Sequence, residues 1–296
     1  MLDFRLNTFL SVCQTLNYTR TAEQLNISQP AVSQHIAALE KSYGTKLFSY
    51  KNKQLALTSA GKMLRDTAQI VAHDDLLLRS HINESEGELR NVSIGATPTA
   101  AEYLLAAPIA RHLKNNPTLS MRFVTGSTDE LLTMLKAGSL DCVAVEGFFD
   151  RNGFDWGTLK QEELVAVSGP QRQFHPCALS DLTNEHLLVR DRGTGTRTAL
   201  EHSLADHNLT IGSFRRVSQV DSINATKRMI EQGYGISFLF RSSVAEELEC
   251  GTLREIPLET PPILHRITFA WLKGSSFSQS IRAFVEHLQE SYDSQN

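Results

Sequence analysis

From residue 92 to the end of the chain, short apolar runs alternate with helical stretches, and this rhythm limits the possible folds more than any other feature. The runs are Val92–Ala96, Leu119–Thr125, Leu140–Val145, Leu164–Ser168, Leu187–Arg190, Ile236–Phe240 and Ile267–Leu272. Helix-like stretches lie around 100–115, 128–137, 196–207, 222–233 and 278–292. Strand and helix in alternation predict a doubly wound, largely parallel sheet. A stretch of roughly 200 residues suffices for one sheet or for two smaller lobes.

The segment before it has a different period. Leu57, Leu64, Val71 and Leu78 fall seven residues apart, with no proline from Ser59 to Asn91 and no glycine between Gly61 and Gly87. A stripe of this kind suits a long helix packed on a partner helix, with Leu64, Val71 and Leu78 as dimerisation residues. The competing reading is an amphipathic helix lying on its own domain. Asp74 and Asp75 interrupt the stripe.

Residues 1–58 read as three helices and a short hairpin. Phe4, Leu6, Phe9, Leu10, Val12, Cys13 and Leu16 recur at helical spacing. A second, short helix runs from about Arg20 to Leu25. Ser28 then stands where an N-cap belongs and is also a candidate DNA contact, with Pro30 in the first turn of the next helix. Ala22, Leu25, Ile27, Val32, Ile36 and Leu39 are spaced as the shared core of two helices crossing at a tight turn. Gln29, Pro30, Ser33, Gln34 and Ala37 are left facing outward, a polar and nearly uncharged surface. Such a face suits the major groove, where Gln bonds adenine bidentately, Ser bonds either base type and Pro or Ala meets a thymine methyl. The bland reading is an ordinary helical hairpin with a solvated face. The hairpin over Lys46–Leu57 favours the first, because Lys51 and Lys53 at its tip are placed to meet phosphate or the minor groove. Thr19, Arg20 and Thr21 add candidate phosphate contacts at the start of the short helix.

Charge supports that division. The chain has 29 Lys+Arg against 33 Asp+Glu, a net charge of -4. Residues 1–58 nevertheless carry six basic and three acidic side chains, a basic head on an acidic body. Several classes are excluded. No apolar run approaches the roughly 18 residues of a membrane-spanning helix, and Asp3, Arg5, Asn7 and Gln14 interrupt any secretory signal. Cys13, Cys142, Cys177 and Cys250 lie far apart with no CxxC pair, which argues against a zinc module and a disulfide framework and for a reduced cytoplasmic setting. No metal ligand set and no cofactor are implied. GxSxG, HExxH and GxxxxGK[ST] are missing, and Gly193-x-Gly195 lacks the third glycine of a dinucleotide fingerprint.

The string Phe9-Leu10, Tyr18-Thr19-Arg20-Thr21-Ala22-Glu23, Leu25, Ser28-Gln29-Pro30-Ala31-Val32-Ser33, Ile36, Leu39-Glu40, Gly44, Leu47-Phe48 and Leu57-Thr58-Ser59-Ala60-Gly61 resembles the LysR-type transcriptional regulators. The family usually has Arg shortly after Leu-Phe. Ser49-Tyr50 stand there in this chain, which leaves that wing contact to Lys51 or Lys53. The resemblance implies an α/β protein in three parts: a winged helix-turn-helix over 1–58, a linker helix over 59–90, and an effector domain over 91–296. The last part would have two lobes like periplasmic solute-binding proteins, about 91–162 plus 267–296, and 163–266. It also implies a homodimer, commonly a homotetramer, that binds a double-stranded DNA operator and a small effector between the lobes, with no membrane partner. The alternative from another class is a cytoplasmic small-molecule-binding protein, or a transferase-type enzyme, without a DNA role.

The residues give their own indication of where an effector binds. Three strand-to-helix turns are rich in hydroxyls and glycine: Thr97-Pro98-Thr99, Gly126-Ser127-Thr128 and Gly193-Thr194-Gly195-Thr196. Turns at the carboxyl ends of strands bind ligands, and helix N-termini there favour an anion. Thr97, Thr99, Ser127, Thr128, Thr194 and Thr196 are therefore candidate effector residues, with Phe148 and Phe149 either walling the cleft or packing in the core. Ser127 also fits a capping box with Glu130. Apart from Asp129 and Glu130, these turns contain no acid, so the expectation is an anionic effector met by donors without a compensating negative charge. Arg197 either pairs with its carboxylate or faces solvent.

Overall fold

The computed structural model describes residues 3–51, 54–81, 91–147 and 149–293. The chain divides into two compact units, the first being 1–89 with the short segments 136–139 and 272–280, the second the remainder.

The first unit begins with α1 (Phe4–Thr15), α2 (Tyr18–Leu25) and α3 (Gln29–Tyr43). Each helix starts on a side-chain cap, with Asp3, Asn17 and Ser28 accepting from backbone N–H groups of Arg5, Arg20 and Ala31. Each ends on a left-handed residue: Leu16, Asn26 and Gly44. The hairpin β1 (Phe48–Lys51) and β2 (Gln54–Leu57) follows, antiparallel with Phe48 opposite Leu57. Phe9, Val12, Ala22, Val32, Ile36, Leu39, Leu47, Phe48 and Leu55 form one core, in which the Phe9 and Phe48 rings lie 5.5 Å apart. Ile27, expected in that core, lies in the turn between α2 and α3 and is 37% exposed.

Helix α4 (Ser59–His81) carries the seven-residue stripe, and the stripe splits. Leu57, Ala60 and Leu64 pack on the core just described, Leu64 being partly buried there. Val71 and Leu78 remain 47% and 50% exposed. Asp74, which breaks the stripe, accepts from Ser275 Oγ at 2.6 Å and Ser276 N at 2.8 Å within the same unit.

The second unit contains a mixed sheet, where a largely parallel one was expected. Its strands are β3 (Asn91–Ala96), β4 (Ser120–Thr125), β5 (Cys142–Glu146), β6 (Phe154–Ser168), β7 (His186–Val189), β8 (Arg216–Gln219), β9 (Ile236–Phe240), β10 (Arg254–Glu255) and β11 (Ile263–Leu272). They run in the order β4-β3-β5-β11-β6-β9-β7-β8, with β10 on β6. β4, β3 and β5 are mutually parallel, as are β9, β7 and β8. β11 pairs antiparallel with β5 and β6 antiparallel with β9, so two parallel triplets meet at two antiparallel strands. These triplets are the two lobes. In β6, Leu164 and Ala166 enter one cluster while Val165 and Val167 enter another, the pattern of a strand covered on both faces.

A π-helical turn at Ala100–Leu105 leads into α5 (Ala106–Asn115), followed by α6 (Thr128–Lys136), α7 (Gly195–Asp206), α8 (Ile223–Glu231), α9 (Arg241–Cys250) and α10 (Ser278–Asp293). The sequence reading missed α9, which buries only Ser243 and Val244 and so shows no apolar stripe. It also missed β8, an edge strand with little burial. Among the described residues no helix is long and apolar enough to cross a membrane.

Candidate functional site

Two surfaces concentrate functional side chains. In the first unit, the inward face of α3 is set by Val32, Ile36 and Leu39, which leaves Gln29, Pro30, Gln34 and Ala37 exposed and Ser33 partly so. Gln29 Nε2 donates to Ser33 Oγ at 3.0 Å, pre-forming one polar pair on that face. His35 belongs to the packing side, with Nδ1 2.9 Å from the Thr8 hydroxyl and its ring edge-on to Phe4. Thr19 and Arg20 are exposed at the start of α2. Thr21 corrects the expectation of a phosphate contact: it is fully buried and its hydroxyl lies 2.6 Å from that of Thr15, joining α1 to α2. Glu40 ties α3 to the hairpin by accepting from Lys46 Nζ at 2.6 Å and Leu47 N at 3.0 Å. Burial opposes ionisation of that carboxyl, yet Lys46 and the backbone donors outweigh it and hold the pKa below its ordinary value. The backbone of Lys51 pairs with Gln54 at the hairpin tip, while Lys53 lies outside the described residues.

In the second unit, a pocket of about 490 Å³ opens where β3, β4, β5, β7 and β8 reach their carboxyl ends. Parallel strands that stop together leave such a crevice. Thr97, Thr99, Ser127, Thr194 and Thr196 all line it, as the turns predicted. Thr128 does not. Its hydroxyl donates to the Glu146 carbonyl at 2.9 Å and locks the end of β5. Phe148 lies outside the described residues, and Phe149 packs edge-on to Phe154 with ring centroids 6.2 Å apart.

The hydroxyl protons are mostly committed already. Ser127 Oγ donates to Glu130 at 2.8 Å and accepts from Glu130 N, the reciprocal cap its sequence suggested. Thr194 Oγ1 donates to the Asp191 carbonyl at 2.8 Å and caps α7. Thr97 Oγ1 donates to Glu146 Oε1 at 3.0 Å, and the Thr99 hydroxyl and Thr196 N–H turn to the same carboxyl.

Glu146 overturns the expectation of a lining without compensating negative charge. It ends β5, is 3% exposed and faces the pocket. Burial pushes its pKa upward, against the Thr97 and Thr99 hydroxyls, Arg190 and the Thr196 N–H. Gly195 has no room for a Cβ against it, so the start of α7 holds the carboxyl in place.

Arg190 is the other residue the sequence reading did not place here. It follows β7, is 4% exposed, and its Nε has no hydrogen-bond partner among the described residues. Asp221, 79% exposed, approaches it at 3.7 Å, and burial works against its charge. The neighbouring Ser222 caps α8. Arg197 neither lines the pocket nor faces solvent: it bonds Glu201 at 2.8 Å and donates to the Arg190 carbonyl at 3.1 Å, fixing the chain beneath Arg190. Burial also pushes the thiols of Cys13, Cys142 and Cys177 upward, Cys13 to about 12, away from the reactive thiolate.

Residues 4–62 match the sequence model of the bacterial regulatory helix-turn-helix protein, lysR family, and residues 85–293 match that of the LysR substrate binding domain. The chain belongs to the LysR family. It resembles the HTH-type transcriptional regulator CysL of Bacillus subtilis (strain 168), 28% identical over 300 residues that cover 98% of this chain and 97% of that one. It is also 28% identical to the RuBisCO operon transcriptional regulator of Allochromatium vinosum, over 96% of this chain and 94% of that one. Two solved structures share the fold. Full-length BenM gives a TM-score of 0.61 at 20% identity over 100% of this chain and 98% of that one. The oxidised form of Corynebacterium glutamicum OxyR gives 0.56 at 23% identity over 98% and 92%. The chain is thus a LysR-type transcription regulator, with a DNA-binding helix-turn-helix and an effector-binding domain, and the enzyme alternative falls. LysR regulators bind DNA and small molecules and are oligomeric.

Proposed function

We propose that this LysR regulator works in the cytoplasm as a homodimer that assembles further into a homotetramer, and that an effector carrying an anionic group enters the pocket and pairs with Arg190. The observation that supports the effector class is the guanidinium itself, 4% exposed with its Nε unpartnered. A buried cation short of partners is costly, and a carboxylate or oxyanion offers it short, charge-assisted hydrogen bonds. Thr99 and Thr196 line the same pocket.

On the DNA side, Gln29, Pro30, Ser33 and Gln34 meet base edges in the major groove, and Thr19 and Arg20 meet phosphates beside the wing that carries Lys51 and Lys53. Val71 and Leu78 form the exposed seam for the partner's linker helix. Two-fold dimers read a pseudo-palindromic operator with half-sites about one helical turn apart.

Thermal-shift screening of the full chain tests the effector class, using compounds that carry an anionic group against neutral and purely cationic ones. Members of the first group are expected to raise the melting temperature, and Arg190→Gln to remove most of that rise. A response confined to neutral or cationic compounds, unchanged in Arg190→Gln, overturns it.

A further inference from the structure

The pocket holds a buried carboxyl and a buried guanidinium that do not pair with each other, and burial disfavours the charged form of Glu146 unless a cation comes beside it. Glu146, from the lobe of β3–β5, is met by neutral donors: the hydroxyls of Thr97 and Thr99 and the N–H of Thr196. Among the described residues, Arg190, from the lobe of β7–β9, has only the exposed Asp221 within ion-pair distance, at 3.7 Å. No nitrogen of Arg190 comes within 4.0 Å of a Glu146 oxygen. Both side chains line the same cavity of about 490 Å³. Buried charges are tolerated when they are paired and costly when they are not, so the cavity presents a guanidinium short of an anion and a carboxyl that a cation would hold ionised.

The remaining charge makes a bare anion a poor occupant. Glu130, Asp191 and Asp221 join Glu146 in the lining, against Arg190 and Arg192. An anion satisfies Arg190 and at once adds like charge beside Glu146, whose position the start of α7 fixes. A cation alone leaves Arg190 as it is. A molecule bearing both signs on one small frame repairs both poles. We propose that the effector is a small zwitterion, its anionic group on Arg190 and its ammonium on Glu146, the α-amino acids and aminosulfonates being the simplest members of the class. This rests on the reading of Arg190 as the anion holder. It adds that Glu146 selects the ligand.

Titration calorimetry on the full chain tests it with three probe sets: the α-amino acids and taurine; the N-acetyl forms of the same compounds; and acetate, succinate and sulfate. Expected is a member of the first set whose N-acetyl form, with the anion kept and the cation removed, binds at least tenfold more weakly. Glu146→Gln should weaken that zwitterion at least tenfold and leave the bare anions unchanged or tighter. An N-acetyl form or a bare anion that binds the native chain as tightly as any zwitterion overturns the proposal, as does a panel in which no zwitterion binds. The native-chain comparison stands even where Glu146→Gln fails to fold. Arg190→Gln separates the two readings: bare anions that bind tightly and need Arg190 sink the zwitterion alone, whereas binding that ignores Arg190 sinks both.

Discussion

The helix-turn-helix and the pocket solve the recognition problem in opposite ways. The reading face is continuous in sequence, uncharged and exposed, and its shape follows from the residues that are buried behind it: Val32, Ile36 and Leu39 fix which side of α3 looks out. The pocket is assembled from turns spread between Thr97 and Asp221, and its deciding groups are charged and almost fully buried. A face that meets DNA can be wetted when unoccupied and costs little to keep. A buried arginine and glutamate carry a standing desolvation cost, which a ligand of the proposed kind would relieve.

That contrast can be broken most forcefully at the head's core. Phe9→Ala removes a fully buried ring and should cost about 3–5 kcal/mol, abolishing operator binding. If the pocket-bearing unit is independent, the ligand-induced shift of its melting transition persists, and calorimetric scanning shows whether it does. Next in size is Val71→Glu. A charge forced into the linker seam should cost several kcal/mol of association and shift sedimentation to a smaller species. Leu64→Glu, by contrast, should unfold the head, because Leu64 packs on its own core. An unchanged mass for Val71→Glu means the exposed side of α4 is not the seam.

At the reading face the expected effects are smaller. Gln29→Ala should lose about 1–3 kcal/mol of discrimination at one operator position, while Lys51→Ala weakens all sequences alike and reduces the salt slope by about one. Equal losses on operator and scrambled DNA for Gln29→Ala remove it from base reading. The smallest effect is at the cap: Ser28→Ala leaves the Ala31 N–H without its partner and should cost about 1 kcal/mol in chemical denaturation, with base preference unchanged.

The same contrast explains what could be read from the sequence. The head was legible because its periodicity, caps and outward residues lie within one short stretch. Thr21 was misread there because its neighbours Thr19 and Arg20 do face out, and only the packing of α1 on α2 shows that a hydroxyl can point inward to Thr15. In the second unit the glycine and hydroxyl turns marked where the strands end, so the location of the pocket was visible. Its electrostatics were not. Glu146 and Arg190 each close an apolar run, Val143–Glu146 and Leu187–Arg190, where a charge reads as the edge of a strand. A buried ionisable residue at the carboxyl end of a strand was the available signal. The mixed sheet was hidden for another reason: β11 has the apolar look of any central strand, and nothing local records that it runs against β5.

The place of β11 in the sheet has a consequence for how the protein comes into being. It lies between β5 and β6 although Ile263–Leu272 follow both of them in the chain. The head has all its core residues in hand by Leu64, whereas β5 waits for its neighbour until Ile263–Leu272 have been made. Each new molecule therefore completes its helix-turn-helix well before the pocket that holds Glu146. A chain cut short after Leu64 but before Ile263 keeps that helix-turn-helix and lacks the strand that pairs with β5 at Glu146.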